Sequence, residues 1–469
     1  MHDNVPENVE PVLSGHLQRD EAEVPVRLGY ASRTSLWVSF LSDQGFPDGT
    51  VFRALTLTTP GGPVTLSSCK LIVEYTRQGG NGRLAFLEDI YDCKCLMFEG
   101  KVVNLKTYFR NLPLVVGQKN DIRPAFREYV SDLTYDLSVY KRFFNEQDRI
   151  LANEPAQVAQ AGQEAILHSE GRAFMAFLDG QLKKLDEQVK DFSKEEHEKH
   201  GFYLRRQLWE YLIASAFLKR TNLKPRGYAG DAEMMMMTYE NRYVGNYVFN
   251  KLLHKHPIES AAAQAVRNRR RLVPKVMRDT FARFPEASSP HLRVLSVACG
   301  PAWELQDLLL TPDDFQRIEV SLLDQDTHAL DTAKEGLRRI ESARDAKVKA
   351  VFHNESVRTM LRESDLVGRF GRYHFIYSMG LFDYLTPPVA KALLQKMYSL
   401  VEPGGCAVIG NYHMATPTRW YMAYWMDWVL YYRSEEEFLE LGSGLGAKLS
   451  LTFDESRCQM FLVLEKPAA

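Results

Sequence analysis

The residues whose types and spacing best suit ligand binding lie in a short break around Gly300. Residues 292–298 form an apolar run rich in Val and Leu, which predicts one buried strand. Residues 299–302 form a turn of mostly small residues, and residues 303–309 resume with helical spacing. A glycine lets the backbone approach a ligand closely, and the amides that begin the helix would face that ligand. The segment predicts the first strand–turn–helix unit of a doubly wound sheet, although any strand–turn–helix crossover also fits it.

Polar side chains follow the next predicted strands at equivalent points. Residues 318–326 predict a second apolar strand that ends at Asp324, about twenty residues beyond the turn. At that place an acid accepts hydrogen bonds from ribose hydroxyls. A third strand ends at Asn354 and Glu355, and residues 372–385 predict a fourth strand with its exit loop. Because parallel strands end at one edge of a sheet, we expect these side chains to lie close together.

The succession of elements resembles class I S-adenosylmethionine (SAM) methyltransferases from residue 292 to residue 466. After Asp324 come the phrase FIYSMGLFDYL, a helix that Pro403-Gly404-Gly405 is expected to close, and a fifth strand at residues 406–413. Residues 447–453 and 459–466 predict a closing antiparallel pair. The resemblance implies a Rossmann-like α/β sheet. An NAD(P) enzyme is the competing possibility, but the chain lacks the G-x-G-x-x-G fingerprint.

The same resemblance implies SAM as the cofactor. The chain departs from motif I of that family at Ser296, where an acid is usual, and at Ala298 and Ala302, where glycines are usual. Asn354 or Glu355 stands where the family hydrogen-bonds adenine. The residues at which the resemblance implies cofactor binding are Ala298, Cys299, Gly300, Pro301, Asp324, Gln325, Asn354, Glu355 and Ser378.

The expected methyl acceptor is an oxygen atom of a small or lipid-like molecule. Enzymes that methylate nucleic-acid amino groups carry an Asp/Asn/Ser-Pro-Pro-aromatic motif after the fourth strand, and here that place reads Ser378-Met379-Gly380-Leu381. A carboxylate acceptor is ionised at neutral pH and needs no base. A hydroxyl acceptor needs one, and His413, at the end of the fifth strand, is the best-placed residue. A packing role for His413 is equally open.

The loop at residues 223–231 carries two further candidate catalytic residues, Arg226 and Tyr228. Gly227 and Gly230 allow tight backbone angles there, and Arg226 is suited to a bidentate bond with a carboxylate. A helix is expected to begin near Asp231 as N-cap, followed by four methionines at residues 234–237 that suit an adaptable apolar wall. We expect this loop to be a lid, with a purely structural loop as the alternative.

The phrase KPRGYAGDAEMM, together with the core, resembles bacterial proteins of extracellular factor 3-hydroxypalmitic acid methyl ester biosynthesis. That resemblance implies methylation of the carboxylate of a hydroxy fatty acid. The alternative is a regulator that binds SAM without catalysis and carries a β-barrel sensor domain. Ser296, Ala298 and Ala302 are the features that favour this alternative.

Composition narrows the class of protein. The chain has 469 residues, of which 25% are charged, with a net charge of -2, which argues against a nucleic-acid binder. Its six cysteines form no C-x-x-C pair, so we expect no metal site and reduced thiols in the cytoplasm. No apolar run is long enough to span a bilayer, and the polar N-terminus does not read as a signal peptide.

Five segments are expected along the chain. They are a mobile tail at 1–20, a small β-barrel at 21–122, a helical bundle at 123–222, helices forming a lid at 223–290, and the methyltransferase core at 291–469. The barrel resembles the PilZ type, which binds cyclic di-GMP. It lacks the paired-arginine motif of that type, so we expect a barrel that binds no nucleotide.

Two helical patterns carry further expectations. An apolar stripe runs through Phe174, Leu178, Leu182, Leu185, Val189 and Phe192. We expect it to pack within the chain, with a dimerising hairpin, and thus a homodimer, as the alternative. A helix at 261–283 is expected to break at Pro274. The aromatic residues 420–432 predict an apolar helix that is buried or walls an acceptor pocket.

Overall fold

The structure is a computed structural model of the whole chain, and it separates into two compact units, Met1–Arg123 and Pro124–Ala469. It describes residues 118–287 and 289–468. Within the first 117 residues it describes 13–19, 22–31, 35–41, 46–47, 50–59, 62–66, 71–77, 81–86, 97–98 and 101–102. Cys69, Cys93 and Cys95 lie outside the described residues, and so does most of the predicted tail. The predicted domain boundaries remain predictions.

The first unit is antiparallel β-structure, as the spacing of short apolar runs predicts. Eight strands form one sheet in the order β4-β7-β8-β3-β2-β1-β5-β6, and β9 pairs with β10. The strands are β1 Leu13–Arg19, β2 Ala22–Ala31, β3 Ser35–Phe40, β4 Val51–Phe52, β5 Ala54–Thr59, β6 Gly62–Leu66, β7 Leu71–Arg77, β8 Asn81–Phe86, β9 Met97–Phe98 and β10 Lys101–Val102. Among these strands no pairing joins β4 to β6, so the expected closure into a barrel is not seen in the described part.

Strand β1 occupies residues that the sequence assigns to a mobile tail. The backbone of β1 pairs with both β2 and β5. Its side chains alternate between water and the core, with Gly15 and Leu17 buried. Ladder hydrogen bonds on both edges and one apolar face outweigh the polar composition that predicts a tail.

The second unit begins with helices. They are α1 Pro124–Leu151, α2 Ala156–His168, α3 Glu170–Val189, α4 Lys194–Gln207, α5 Trp209–Leu212, α6 Ala216–Leu223, α7 Ala232–Glu240, α8 Val248–Glu259 and α9 Ala261–Phe281. Phe174, Leu178, Leu185 and Val189 of α3 are buried, so the apolar stripe packs within the chain as expected. That stripe is therefore not a dimerising face.

Helix α9 runs through Pro274, and the predicted break there is wrong. A proline inside a helix removes one backbone hydrogen bond and crowds the preceding turn. Here Val273, Pro274 and Met277 are buried, and the first and last of these join the core on one side of the C-terminal sheet. Burial of this face compensates for the missing bond and keeps the helix continuous.

The C-terminal sheet has seven strands in the order β13-β12-β11-β14-β15-β17-β16. They are β11 Leu292–Val297, β12 Ile318–Asp324, β13 Lys349–Asn354, β14 Tyr373–Ser378, β15 Val401–Tyr412, β16 Lys448–Phe453 and β17 Gln459–Glu465. The first five are parallel to one another, and β17 is antiparallel to both of its neighbours. This is the α/β sheet that the order of apolar runs predicts, including its final antiparallel pair.

Helices cover both faces of this sheet. The helices after β11 are α10 Trp303–Leu308, α11 Pro312–Arg317, α12 Thr327–Arg344, α13 Val357–Arg362, α14 Leu366–Phe370, α15 Pro387–Ser399, α16 Arg419–Trp425 and α17 Glu435–Glu440. In β11, Leu292 and Val294 join one apolar core, and Leu295 and Val297 join the other. A central strand buried on both faces explains why its sequence is continuously apolar.

Two local predictions in this part are wrong. Residues 403–405 do not close α15 but lie inside β15, where Gly404 takes a φ of +80° and its amide bonds the carbonyls of Lys466 and Pro467. The aromatic helix ends at Trp425, because Asp427 adopts a left-handed φ of +50°. Its carboxylate bonds Lys224 and Arg205, which holds that turn. No helix among the described residues is long and apolar enough to cross a membrane.

Candidate functional site

The turn after β11 is held by three left-handed residues. Ala298, Gly300 and Ala302 have φ values of +54°, +55° and +49°. Only glycine adopts this region without strain, so the two alanines carry a conformation that costs each of them about 1 kcal/mol. A Cβ at Gly300 would meet nothing within 4 Å, so the space in front of the turn is open. Cys299 is buried and its amide bonds the carbonyl of Leu323, while Pro301 completes the turn.

Asp324, at the end of β12, connects this turn to the next strand. Its Oδ2 accepts the amide of Gly300 at 2.9 Å, and its Oδ1 accepts the amide of Asp326 at 2.9 Å. The carboxylate is buried, and burial raises its pKa while these amides oppose the rise. The backbone of Gln325, another predicted contact, accepts a hydrogen bond from the side chain of Asn354 at 3.1 Å.

The predicted residues of the third and fourth strands meet the same edge. The Asn354 amide also donates to the carbonyl of Asp324 at 3.2 Å, so it braces the end of β12. Glu355 bonds the same carbonyl through its own amide, and its Oε1 accepts from Arg369 at 2.6 Å. Ser378 is buried, and its hydroxyl donates to the carbonyl of Val297 at 2.7 Å, which joins the ends of β14 and β11.

The loop between α6 and α7 reaches this edge through Arg226. One guanidinium nitrogen of Arg226 lies 2.8 Å from Oδ1 of Asp326. Asp326 is buried and also caps α12 by accepting the amide of His328 at 3.0 Å. In the structure, therefore, the carboxylate that Arg226 binds belongs to the chain itself.

Gly230 packs against aromatic side chains from the segments that follow β14 and β15. Burial, followed by the charges of Asp324 and Asp326, raises the pKa of Tyr228. The hydroxyl of Tyr384 accepts a hydrogen bond from Nε1 of Trp428 at 2.7 Å. A Cβ at Gly230 would lie 2.5 Å from the ring of Trp428, so only glycine fits this contact.

Ion pairs fix both ends of the loop. At the start, Lys224 bonds Asp427 at 2.8 Å. At the end, Asp231 accepts two bonds of 2.9 Å from Arg220 and caps α7 through the amide of Met234 at 3.0 Å. The predicted N-cap at Asp231 is thereby confirmed. Its side chain is almost fully buried, so this charge pair fixes the loop firmly.

Three buried polar atoms near this edge have no hydrogen-bond partner in the structure. They are Nε of Arg226, Oδ2 of Asp326 and Oε2 of Glu355. A buried polar group without a partner is unfavourable, because it has lost its water without a replacement. One donor and two acceptors beside Asp324 are therefore free to bond a polar group.

A second layer of buried polar groups lies under the exit of β14. Arg269 of α9 donates to the carbonyl of Met379 at 3.0 Å, and Oδ1 of Asp383 accepts the amide of Tyr412 at 2.7 Å. Burial raises the pKa of Asp383 to about 6 in spite of that amide and of nearby Arg269 and Arg433. These groups fix the loop that follows Ser378.

A third predicted catalytic residue, His413, lies elsewhere. Its ring packs edge-on against Phe453 of β16 at 5.7 Å, and its Nδ1 accepts the amide of Ala415 at 3.4 Å. Phe453 belongs to the outer strand of the sheet, whereas the turn follows the central strand β11. No described contact brings His413 to the turn, and its role as a base remains a prediction. The described residues hold no cluster of side chains suited to a metal ion.

The sequence pattern does not indicate several residues of the site. Asp326 had a signal, because it repeats the acid of Asp324 two residues later at a strand end. Asp383 and Tyr384 lie in the phrase FIYSMGLFDYL, which predicts a strand with its exit loop and distinguishes neither residue. Trp428 lies in the predicted aromatic helix, which in the structure ends before it. Arg269 had no signal that distinguishes it from the neighbouring arginines.

Comparisons with known proteins give weak likenesses. No family model and no curated protein matches the chain. A possible exported protein from Bordetella parapertussis is 16% identical, with a TM-score of 0.41 over 64% of this chain and 98% of its own. An O-methyltransferase family protein from Burkholderia thailandensis is 14% identical, with a TM-score of 0.36 over 74% of this chain and 96% of its own. A magnesium protoporphyrin IX methyltransferase from Synechocystis PCC 6803, solved with bound SAM, is 12% identical, with a TM-score of 0.31 over 44% and 83% of the two chains. Likenesses this weak do not indicate a function for this chain.

The left-handed turn gives a first prediction. Ala298→Gly should stabilise the protein by about 1 kcal/mol, because it relieves strain at a φ of +54°. Gly300→Ala should cost about 1 kcal/mol through strain alone, because nothing lies near the added methyl. Urea denaturation measures both changes. As a control, Ala329→Gly inside α12 should destabilise by about 1 kcal/mol. A loss of that size in Ala298→Gly would contradict the left-handed assignment.

Asp383 gives a second prediction, on pH dependence. Its pKa in the folded state, about 6, lies above the ordinary value of 3.8, so the folded state binds the proton more tightly. Its contribution to stability is therefore present at low pH and is lost as the pH rises from about 4 to about 6. Relative to Asp383→Asn, the wild type should lose about 3 kcal/mol of unfolding free energy between pH 3 and pH 7. Denaturant titrations across this range measure the difference, and a constant difference would show that Asp383 keeps an ordinary pKa.

Proposed function

We propose that the unit Pro124–Ala469 binds SAM and transfers its methyl group to oxygen of a small acceptor. The observation that carries the proposal is the bonding of Asp324, which holds the amide of Gly300 at the open end of the central strand. The sheet order and its antiparallel final pair match the layout expected of class I methyltransferases. Ligands of open α/β sheets bind at this edge, where the strand order reverses between β11 and β14.

The residues of this edge fit the parts of SAM. Ribose hydroxyls are donors, and Asp324 offers carboxylate oxygens beside the unpartnered Oδ2 of Asp326. The adenine amino group is a donor as well, and Oε2 of Glu355 is an unpartnered acceptor at the end of β13. The methionine carboxylate is an acceptor, and Nε of Arg226 is an unpartnered donor. The open space at Gly300 admits a group close to the backbone.

SAM, when bound, supplies a methyl group on a sulfonium, and transfer requires alignment with the acceptor more than acid–base chemistry. The chain supplies that alignment. The turn at Gly300 and Asp324 would hold one side of the site. The loop that carries Arg226, Tyr228 and Gly230 would cover the other side and exclude water. Gly230 packs on Trp428 and Tyr384, so aromatic rings support this loop.

We further propose that the acceptor is a carboxylate, such as that of a hydroxy fatty acid. A carboxylate needs no general base, which suits a site from which the ring of His413 is turned toward Phe453. The surroundings suit an alkyl chain. Met235 of α7 lies 3.4 Å from Arg269, which in turn bonds the carbonyl of Met379 at the exit of β14. Flexible methionines adapt to a chain without a fixed shape.

A regulator that binds SAM without catalysis is the second candidate. The observation that favours it is the ion pair between Arg226 and Asp326, which closes the edge with a bond inside the chain. In that case SAM would displace the loop when it binds, and the extent of this displacement would depend on the concentration of SAM. The two candidates share the cofactor and differ in whether a methyl group leaves it.

The test of the cofactor site uses Asp324→Ala. We expect S-adenosylhomocysteine to bind the wild-type chain and the variant to bind roughly 10- to 100-fold more weakly, because hydrogen bonds to a carboxylate are lost. Calorimetry measures both affinities. Asp454→Asn is the matched control, since Asp454 is also buried and accepts the amide of Gln459 at 2.8 Å, but at the β16–β17 hairpin. Equal affinities in wild type and Asp324→Ala would remove Asp324 from the site.

The same preparations separate the two candidate functions. Methyl-labelled SAM incubated with a cell extract should pass its label to an extractable lipid with the wild type and far more slowly with Asp324→Ala. Mass spectrometry of the labelled product identifies an ester, an ether or neither. Binding of S-adenosylhomocysteine without transfer of label to any fraction would favour the regulator.

The role of the loop is tested at Arg226. If the loop is a lid, Arg226→Ala should raise the KM for SAM or lower kcat, with a smaller fall in Tm than Arg220→Ala causes, because the Arg226 guanidinium is partly exposed and Asp326 keeps the amide of His328. Arg220→Ala is the contrasting variant. It leaves the buried carboxylate of Asp231 without its partner and should cost about 3–5 kcal/mol of stability. If Arg226→Ala lowers stability and activity together, as Arg220→Ala is expected to do, the loop is structural.

A further inference from the structure

Arg269 of α9 is a buried cation that forms no ion pair with any of the described residues. It is 8% exposed. One of its terminal nitrogens donates to the carbonyl of Met379 at 3.0 Å, and the other lies 3.4 Å from the sulfur of Met235, which is a weak acceptor. A buried charge is unfavourable unless an opposite charge or good acceptors replace its water. The guanidinium therefore has the capacity to bind a further acceptor.

Arg433 shows how this chain satisfies a buried arginine without an ion pair. It is 3% exposed and donates to the carbonyls of Phe382 and Leu385 and to the side-chain oxygen of Asn411. Three oxygens thus replace its water. Arg269 donates to one oxygen, so its guanidinium is the less satisfied of the two.

Two buried acids whose pKa responds to Arg269 bond to other groups. Burial raises the pKa of Glu304 and of Asp383, and the charge of Arg269 opposes the rise. Oε1 of Glu304 accepts the hydroxyl of Tyr377 at 2.6 Å. Oδ1 of Asp383 accepts the amide of Tyr412 at 2.7 Å. Neither carboxylate forms an ion pair with Arg269, so neither occupies its two terminal nitrogens.

Gly380 lies in front of the fork that these two nitrogens form. A Cβ added at Gly380 would lie 3.4 Å and 3.5 Å from the terminal nitrogens of Arg269 and 3.9 Å from its Cζ. These distances place the added atom near the axis of the fork, along which a carboxylate approaches an arginine to make two parallel bonds. The glycine keeps this place free of a side chain, and it follows Ser378 at the ligand edge of the sheet.

The amide oxygen of Gln459 is a second unsatisfied group close to the fork. Nε2 of Gln459 donates to the carbonyl of Met379 at 3.2 Å, which is the oxygen that Arg269 also bonds. Gln459 is fully buried, and its Oε1 has no hydrogen-bond partner in the structure. A buried acceptor without a partner is unfavourable. A carboxylate with a hydroxyl close to it would satisfy both the fork and this oxygen.

We propose that Arg269 and Gln459 bind the methyl acceptor and that this acceptor is a hydroxy carboxylate. The inference rests on the methyl transfer proposed above. The fork of Arg269 binds the carboxylate through two bonds, and Oε1 of Gln459 accepts the hydroxyl. The sulfur of Met235 beside the guanidinium suits an apolar remainder of the acceptor.

The methionine part of SAM is a second source of the same chemistry, because it carries an ammonium donor beside a carboxylate. Arg226 offers that carboxylate an unpartnered donor, which leaves Arg269 for the acceptor. The experiment therefore measures the affinity for both ligands in each variant.

The test uses calorimetry on the full chain, first with S-adenosylhomocysteine and then, at saturation, with decanoate, 2-hydroxydecanoate and 3-hydroxydecanoate. We expect the wild type to bind one hydroxy acid more tightly than decanoate. Gly380→Ala places a methyl in front of the fork, and Arg269→Lys removes the fork but keeps the charge. Each should weaken binding of that hydroxy acid roughly 10- to 100-fold, with the affinity for S-adenosylhomocysteine unchanged. Gly180→Ala, whose methyl meets nothing within 4 Å, is the matched control.

Gln459→Leu tests the second contact. It should abolish the preference for the hydroxy acid over decanoate, a ratio that a general loss of stability does not change. Gly380 has no left-handed φ, so Gly380→Ala decides the role of the fork if Arg269→Lys fails to fold.

Three outcomes would overturn the proposal. Loss of affinity for S-adenosylhomocysteine in Gly380→Ala, at an unchanged Tm, would assign the fork to the methionine part of SAM. A wild type that binds S-adenosylhomocysteine but neither hydroxy acid would refute this inference and leave the cofactor site standing. A wild type that binds no S-adenosylhomocysteine would refute the proposed function itself. Equal affinities for hydroxy acids and decanoate would remove Gln459 from the site.

Discussion

The carboxylate of Asp324 accepts two backbone amides away from water, and the ligand edge of the sheet is organised around it. One amide comes from the turn after the central strand and the other from the exit of the second strand. Asn354 and Glu355 bond the backbone carbonyl of the same residue from the third strand. A buried carboxylate is tolerated only where such donors replace its water. The three strand ends are therefore fixed to one another before any ligand is considered.

The covering loop is positioned by a different kind of force. Ion pairs hold its start, middle and end, at Lys224 with Asp427, Arg226 with Asp326 and Arg220 with Asp231. Charge pairs of this kind add little net stability, because removing the charges from water offsets their attraction. They do specify position, since any other placement leaves a charge without a partner. The sheet is thus stabilised by apolar burial, whereas the loop is directed mainly by electrostatics.

Much of the fold could be predicted because its signals are local. Each central strand is buried on both faces and therefore reads as a continuous apolar run, and an N-cap such as Asp231 announces its helix in a few residues. The misjudged features depend on distant partners. Pro274 stays helical because of the sheet beneath it, and Gly404 lies in a strand because Lys466 and Pro467 bond it. The pairing of Arg226 with Asp326 joins residues that are 100 positions apart, and no local pattern encodes it.

The place of β17 in the sheet bears on how this unit forms. It lies between β15 and β16 and pairs with both, although it follows them in the chain. Strand β16 has no other neighbour in the sheet, so it cannot join until β17 has been made. Until then β15 presents an unpaired edge to its surroundings, and open edges invite pairing with other chains. The interval between the synthesis of β15 and that of β17 is therefore one in which this edge is open to other chains, and shielding by a chaperone would act there.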